Sequence, residues 1–200
     1  DSHKLSYHMD RVQAWESGER IAPISVDMAL TRACGAMCTF CYAMVQESQE
    51  RSSLKTPVAL KLVDDFERLG IRSVSLVSDG ESTLSPAYVP FIKHAYDAGI
   101  DVGNGTNGWE WEPEKIEQVL PYLTWVRFTV AAGRPNTYAD MMYKGPEHTQ
   151  VFDRAMANIK YAVDLKRRKS LPVTLGIQMV LMPGMGEEIL PFAQLGIDLG

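Results

Sequence analysis

The sequence predicts an α/β protein built of βα repeats on a parallel sheet, and three observations carry that prediction. Short apolar runs alternate with amphipathic segments along almost the whole chain. Glycine and proline punctuate the joins between them. The residues best suited to chemistry fall just after the apolar runs, where parallel sheets bind their ligands at the C-terminal ends of strands. Strands separated by helices favour right-handed parallel crossovers. An open doubly wound sheet and a barrel or partial barrel both satisfy the pattern.

In chain order, Met9–Glu16 reads as a short helix stopped at Gly18, within an N-terminal extension over 1–22. The remainder, 23–200, reads as one core domain. Ile24–Leu30 is a first strand, and Cys34–Cys41 lies in the loop after it. Pro57 at a helix start, followed by Ala59, Leu60, Val63, Phe66 and Leu69, gives an apolar stripe closed by Gly70. Ser73–Val77 is a second strand, followed by the loop Ser78-Asp79-Gly80-Glu81-Ser82-Thr83. Pro86–Ala98 is a helix closed by Gly99. Ile100–Val102 opens a third strand that ends in Gly105-Thr106-Asn107-Gly108. Pro113–Leu120 is a helix and Trp125–Val130 a fourth strand. Ala131–Glu147 reads as a loop carrying Arg134, Asn136, Tyr138, Asp140 and Tyr143. Val151–Leu165 is a long helix, Val173–Leu181 a fifth strand, and Glu187–Leu195 begins another helix. Leu195 to Gly200 reads as a helix end leading into a sixth strand, so the chain is expected to lack its last strand and to belong to something longer.

The 200 residues, 46% of them hydrophobic, suffice for a sizeable buried core. A net charge of −5 gives no basic bias toward nucleic acid. The one dense basic run, Lys166-Arg167-Arg168-Lys169, falls at a helix end, where cations suit the helix dipole. No apolar run is long enough to span a membrane and no secretory leader pattern is present, which points to the cytoplasm, where thiols stay reduced.

The three cysteines are odd in number and lie within one octet, Cys34-Gly-Ala-Met-Cys38-Thr-Phe-Cys41, which is no disulfide framework. Three thiolates on one short loop can hold three corners of an iron–sulfur cubane, leaving the fourth iron without a protein ligand and open to an exchangeable group. Gly35 and Ala36 let the backbone wrap closely around such a core. A zinc knuckle is the competing reading, but structural zinc takes four closed ligands, and His3, His8, His94 and His148 are all distant in sequence. Free core thiols are the third.

The spacing C-x3-C-x2-C, with aromatic Phe40 before the last cysteine and a position after the first strand of a βα series, resembles the signature of radical S-adenosylmethionine (SAM) enzymes. The resemblance covers roughly 24–200. It implies a partial TIM barrel of the radical SAM type, with a [4Fe–4S] cluster on Cys34, Cys38 and Cys41 whose open iron chelates the amino and carboxylate groups of SAM. It also implies reductive cleavage of SAM to a 5′-deoxyadenosyl radical that removes a hydrogen atom from substrate. Such an enzyme is oxygen-sensitive and draws its electron from a donor such as flavodoxin or ferredoxin.

Further positions follow from the resemblance. Asp79-Gly80-Glu81 is similar to the family's Gly-Gly-Glu motif, which meets the methionine ammonium, although Asp79 replaces the first glycine and Ser82 the usual proline. An ordinary Asp-Gly turn is the alternative there. Thr106 and Asn107 match a Thr-Asn-Gly strand end and are expected to face the cofactor. Thr129, at the end of the fourth strand, is expected at the ribose, and Arg127, two residues before it, at the SAM carboxylate or a substrate anion. Gly176-Ile177 offers a flat surface near the adenine, and Tyr42 packs near it or anchors the loop. Gly103-Asn-Gly105-Thr-Asn-Gly108 also spells G-x-G-x-x-G, but no helix opens at its third glycine and no acid ends the next strand, as a dinucleotide site requires.

For substrate the sequence offers less. The subgroup resemblance is to members with a C-terminal extension of the SPASM or twitch type, although no cysteine follows Cys41. The acidic composition favours a small polar, carbohydrate-like substrate, with a peptide-modifying maturase as the alternative. A non-catalytic iron–sulfur or zinc protein is the reading outside enzymology.

Overall fold

A computed structural model of the chain describes residues 4–45, 52–77, 79–143, 145 and 148–200. Five strands, β1 (Ser25–Asp27), β2 (Ser73–Leu76), β3 (Asp101–Thr106), β4 (Trp125–Thr129) and β5 (Thr174–Gln178), pair in parallel in the order β1-β2-β3-β4-β5. A doubly wound sheet turns back at a switch point. This order never reverses, which is the winding of a barrel wall, and it decides between the two arrangements left open by the sequence.

The helices are α1 (Met9–Glu16), α2 (Thr56–Leu69), α3 (Tyr88–Asp97), α4 (Pro113–Val119), α5 (Pro135–Tyr143), α6 (Thr149–Lys169) and α7 (Ile189–Leu199). They form a consecutive outer layer: α2 packs on α3, α3 on α4, α4 on α6, and α6 on both α5 and α7. Val74, Leu76, Val102, Val126 and Phe128 point from the sheet into this layer and are at most 2% exposed. They share one core with Val63, Phe91, Ile92, Ile116 and Ile159. Each fully buried side chain of this kind contributes about 1.5–3 kcal/mol. The extension is tied down through Arg11, whose guanidinium donates to the carbonyls of Gly70 (3.0 Å) and Pro23 (3.2 Å).

Alternation along the strands gives the opposite face a different composition. Ser75 pairs with Gly103, Gly103 with Trp125, Gly105 with Arg127, Arg127 with Gly176, and Thr129 with Gln178. A closed TIM barrel fills its interior with bulky branched side chains. Here small and polar residues leave a trough, with the Trp125 indole lying across Gly103 and Arg127 and Thr129 above it toward the strand ends.

Several elements differ from the sequence expectations. β1 and β5 are shorter than Ile24–Leu30 and Val173–Leu181, because strand pairing stops where the chain turns into the flanking loops. α3 begins at Tyr88 rather than Pro86. The segment read as a loop after β4 contains α5, whose Tyr138, Ala139, Met142 and Tyr143 are buried at helical spacing behind Pro135; Glu147 of that segment lies outside the described residues. The last helix begins at Ile189 rather than Glu187 and runs to Leu199. Gly196 is a packing position in it, where a Cβ would already meet Ile177 Cδ1 at 3.4 Å.

Glu188 holds α7 to α5. Its buried carboxylate accepts from the backbone N–H groups of Gly133 (3.0 Å) and Arg134 (3.1 Å), from Arg134 Nη1 (3.0 Å) and from Thr137 Oγ1 (2.8 Å). Glu188→Ala leaves these donors unpaired at the start of α5 and is expected to destabilise the fold by about 3 kcal/mol. Urea unfolding checks this as a lower midpoint with an unchanged slope. A midpoint within error of the wild type would remove Glu188 as the tie.

Candidate functional site

The cysteine loop leaves β1 at the C-terminal edge of the sheet and is gripped from three sides. From the β2 side, the N–H of Glu81 donates to Ala33 O (2.8 Å), and Arg32 pairs with Asp79 at 3.5 Å. Gly80 has φ +75°, and a Cβ there would sit 2.3 Å from Thr31 O, so this turn admits only glycine. From the β3 side, Glu110 Oε2 accepts from the N–H of Gly35 (3.3 Å) and from Asn107 Nδ2 (2.7 Å). From α5, the carbonyls of Met142 and Met141 accept from the N–H groups of Met37 (2.8 Å) and Thr39 (2.9 Å), and Cys38 Sγ lies 3.4 Å from Met142 Sδ.

Cys34, Cys38 and Cys41 are free, half-buried thiols. Burial, with a smaller push from neighbouring carboxylates and thiols, raises Cys34 and Cys38 to about 12, so both are neutral before they bind metal. Ligation needs thiolates, and metal supplies the compensating positive charge. Among the described residues no three His, Cys, Asp or Glu side chains converge as a single ion would require. A cubane instead takes its thiolates at separate corners. The donors present fit that group: three thiols on one narrow loop, with buried unpartnered N–H and O–H groups from Trp109, Tyr138 and Tyr143 around it.

Glu81 is buried, and its carboxylate is occupied by the protein itself. Oε1 accepts from the N–H (3.3 Å) and hydroxyl (2.8 Å) of Thr83, and Oε2 from the N–H of Asn107 (2.7 Å). Burial lifts the carboxyl to about 7 against the pull of these donors. Glu81 therefore welds the β2 loop to the end of β3.

The other sequence-derived positions divide between trough and scaffold. Arg127 and Thr129 lie half-buried on the trough face of β4, with the Arg127 guanidinium 5.9 Å from the Trp125 ring centre. Gly80 stands at the mouth of the β2 loop. Thr106 ends β3 in register with Phe128, and its hydroxyl accepts from the N–H of Gly108 (3.1 Å) and lies beside the Glu81 carboxylate. Asn107 stays at the strand end, with its side chain bonded to Glu110. Phe40 packs half-buried against the core, whereas Tyr42 is 60% exposed. Ser78 lies outside the described residues.

Sequence reasoning missed Glu110, Trp109 and Met142, and named Tyr138 and Tyr143 only as polar residues of a loop. Trp109-Glu110 directly follows the Thr-Asn-Gly strand end, which was a usable signal. The other three required α5 to be recognised. The G-x-G-x-x-G spelling dissolves: Gly103 and Gly105 lie within β3, Gly108 lies in a turn, and the next helix starts only at Pro113.

A sequential parallel sheet with a three-thiol loop after its first strand defines a class of iron–sulfur partial barrels. The family model of the radical SAM superfamily matches residues 28–195, and the chain belongs to that superfamily. Its members use a [4Fe–4S] cluster and SAM. The AdoMet-dependent heme synthase of Methanosarcina barkeri is 28% identical over 139 residues, covering 70% of this chain and 39% of that protein. The structure of Streptococcus suis SuiB bound to its precursor peptide SuiA superposes with a TM-score of 0.71 at 16% identity, over 98% of this chain and 42% of SuiB. Native anSMEcpe with bound AdoMet gives 0.64 at 15% identity, over 88% and 49%. The chain thus spans under half the length of these relatives, and the two structures share its fold. No helix among the described residues is long and apolar enough to cross a membrane.

Proposed function

We propose that the chain is the catalytic core of a radical SAM enzyme that abstracts a hydrogen atom from a small polar, carbohydrate-like substrate in the trough. The observation that carries this reading is the placement of three thiols on one clamped loop at the strand ends, above a sheet face of small and polar residues. Cys34, Cys38 and Cys41 hold the cluster. When bound and reduced, the cluster supplies the electron that cleaves SAM.

The chain's own residues bind and orient. Backbone carbonyls around Gly80 accept from the methionine ammonium, since Glu81 is already occupied and serves as the pin beneath them. Asn107 and the turn shaped by Thr106 border the same opening. Arg127 faces a carboxylate, and Thr129 the ribose, from the trough side of β4. Phe40 packs behind the cysteine loop, and Tyr42 flanks the adenine side. The reading takes 1–22 as an extension on the core 23–200, with a cytoplasmic location and a flavodoxin or ferredoxin as electron donor.

A peptide substrate is the second reading, favoured by the barrel shared with SuiB, which binds a precursor peptide. Anaerobic reconstitution is expected to give about four irons per chain and an EPR signal that changes on adding SAM. Turnover with sugars, cyclitols, peptides and a haem precursor, each deuterated, then identifies the substrate by deuterium transfer into 5′-deoxyadenosine. A cluster spectrum indifferent to SAM would sink the enzyme reading. Transfer from a peptide alone would replace the first substrate with the second.

A further inference from the structure

Three hydrogen-bond donors beside the cysteine loop have no acceptor among the described residues. Trp109 Nε1, Tyr138 Oη and Tyr143 Oη are all buried without a well-formed hydrogen bond among the described residues, the two hydroxyls neighbouring each other. A buried donor left unpaired is costly, and three beside one loop suit an acceptor supplied by a group bound there.

The side chains that carry them border the cysteine loop. A Cβ on Gly35 would lie 2.8 Å from Trp109 Cζ2, which adjoins the ring carbon carrying Nε1. The N–H edge of the indole therefore borders the backbone between Cys34 and Ala36. Tyr143 meets Trp109 edge-on, with ring centres 5.8 Å apart, and Tyr138 lies 6.2 Å from Tyr143. Both tyrosines flank Met142 on α5, whose sulfur touches Cys38 Sγ at 3.4 Å. Both hydroxyls are held well above the ordinary tyrosine range, first by burial, and the thiols contribute: Cys38 acts on both, and Cys34 on Tyr143. Arg154 stacks over the outer face of Trp109 at 5.4 Å and fixes the ring's orientation.

We propose that Trp109, Tyr138 and Tyr143 form a donor wall whose N–H and O–H groups bond to the sulfur atoms of the bound cluster and raise its reduction potential. The inference rests on the cluster reading above. Sulfur carries more negative charge in the reduced cluster, so donors to it stabilise that state more than the oxidised one. One electron enters from the ferredoxin- or flavodoxin-class donor, and the wall keeps the cluster within that donor's reach.

The test is a redox titration, monitored by EPR, of reconstituted Trp109→Phe, Tyr138→Phe and Tyr143→Phe proteins and of the triple variant. Phenylalanine keeps the aromatic packing and removes only the donor. Iron content and the SAM-induced EPR change are expected to match the wild type. At a fixed ambient potential the triple variant's ratio of reduced to oxidised cluster is expected to fall about tenfold, equivalent to 59 mV for a one-electron couple. Each single variant should lose one exchangeable-deuteron coupling from the ENDOR spectrum of the reduced cluster in D2O. Trp111→Phe is the control: it too removes a buried, unpartnered indole N–H, but its ring packs on Phe128 in the helix-side core. Wild-type potentials and couplings in all wall variants, or an equal shift in the control, overturn the donor wall. A wild-type protein that binds neither iron nor SAM would instead overturn the function reading. Should Trp109→Phe lose iron, the two tyrosine variants decide.

Discussion

Cys38→Ala is expected to leave anaerobically reconstituted protein with under about one iron per chain, where the wild type holds about four. A cubane on this loop would take three thiolates from it, and the remaining two would not fix its orientation or retain it against chelators. Met142 Sδ, already 3.4 Å from Cys38 Sγ, is the one soft donor positioned to substitute. A neutral thioether cannot supply the charge that iron–sulfur ligation needs, so no rescue is expected. The polypeptide itself should survive the change. Cys38 contributes no strong hydrogen bond, and losing one buried sulfur costs about 1–2 kcal/mol. Iron and sulfide analysis beside circular dichroism separates the outcomes: a folded, colourless protein supports the assignment. A full cubane in the variant would mean that the thiols are misassigned, and stoichiometric zinc in the wild type would restore the knuckle reading.

What the sequence revealed, and what it hid, follows from the range of the contacts involved. Strand and helix periods are local, so β2, β3, β4, α2, α4 and α6 could be read within a few residues of their ends. The three cysteines were legible for the same reason, because the proposed ligand set is spaced along eight residues of one loop. The groups that hold the loop in place are distant in sequence. Gly35 meets Glu110 across 75 residues and Cys38 meets Met142 across 104, and no short pattern encodes either. α5 was hidden because its polar and aromatic residues resemble a binding loop, and only burial shows that Tyr138, Met142 and Tyr143 share one face. Glu81 was legible as a motif position, but its bonds to Thr83 and Asn107 were not. A motif match identifies a residue, but only the hydrogen bonds around it show which way its carboxylate is turned.

That distinction gives the Glu81→Ala variant two measurable consequences. The substitution leaves the N–H groups of Thr83 and Asn107 and the Thr83 hydroxyl without their acceptor in a buried site, a loss of about 3 kcal/mol. The β2 loop is then no longer welded to β3, and the Gly80 carbonyls drift from where the ammonium of SAM would meet them. SAM affinity should fall by about tenfold while the cysteine loop, still held by Glu110 and α5, keeps its cluster. The stability loss also depends on pH. Folding raises the Glu81 carboxyl from an ordinary 4.5 to about 7, so between these values the folded state holds a proton that the unfolded chain has released. Through this group, the metal-free wild type becomes less stable as pH rises across that window, and the variant lacks the slope. The Cys34 and Cys38 thiols, raised to about 12, stay neutral throughout and do not contribute. Urea unfolding of both metal-free proteins at the two ends of the window should therefore show a larger deficit for Glu81→Ala at the acidic end. A deficit that grows toward neutral pH would mean that the ionised carboxylate is the favoured form, and that its three donors outweigh its burial.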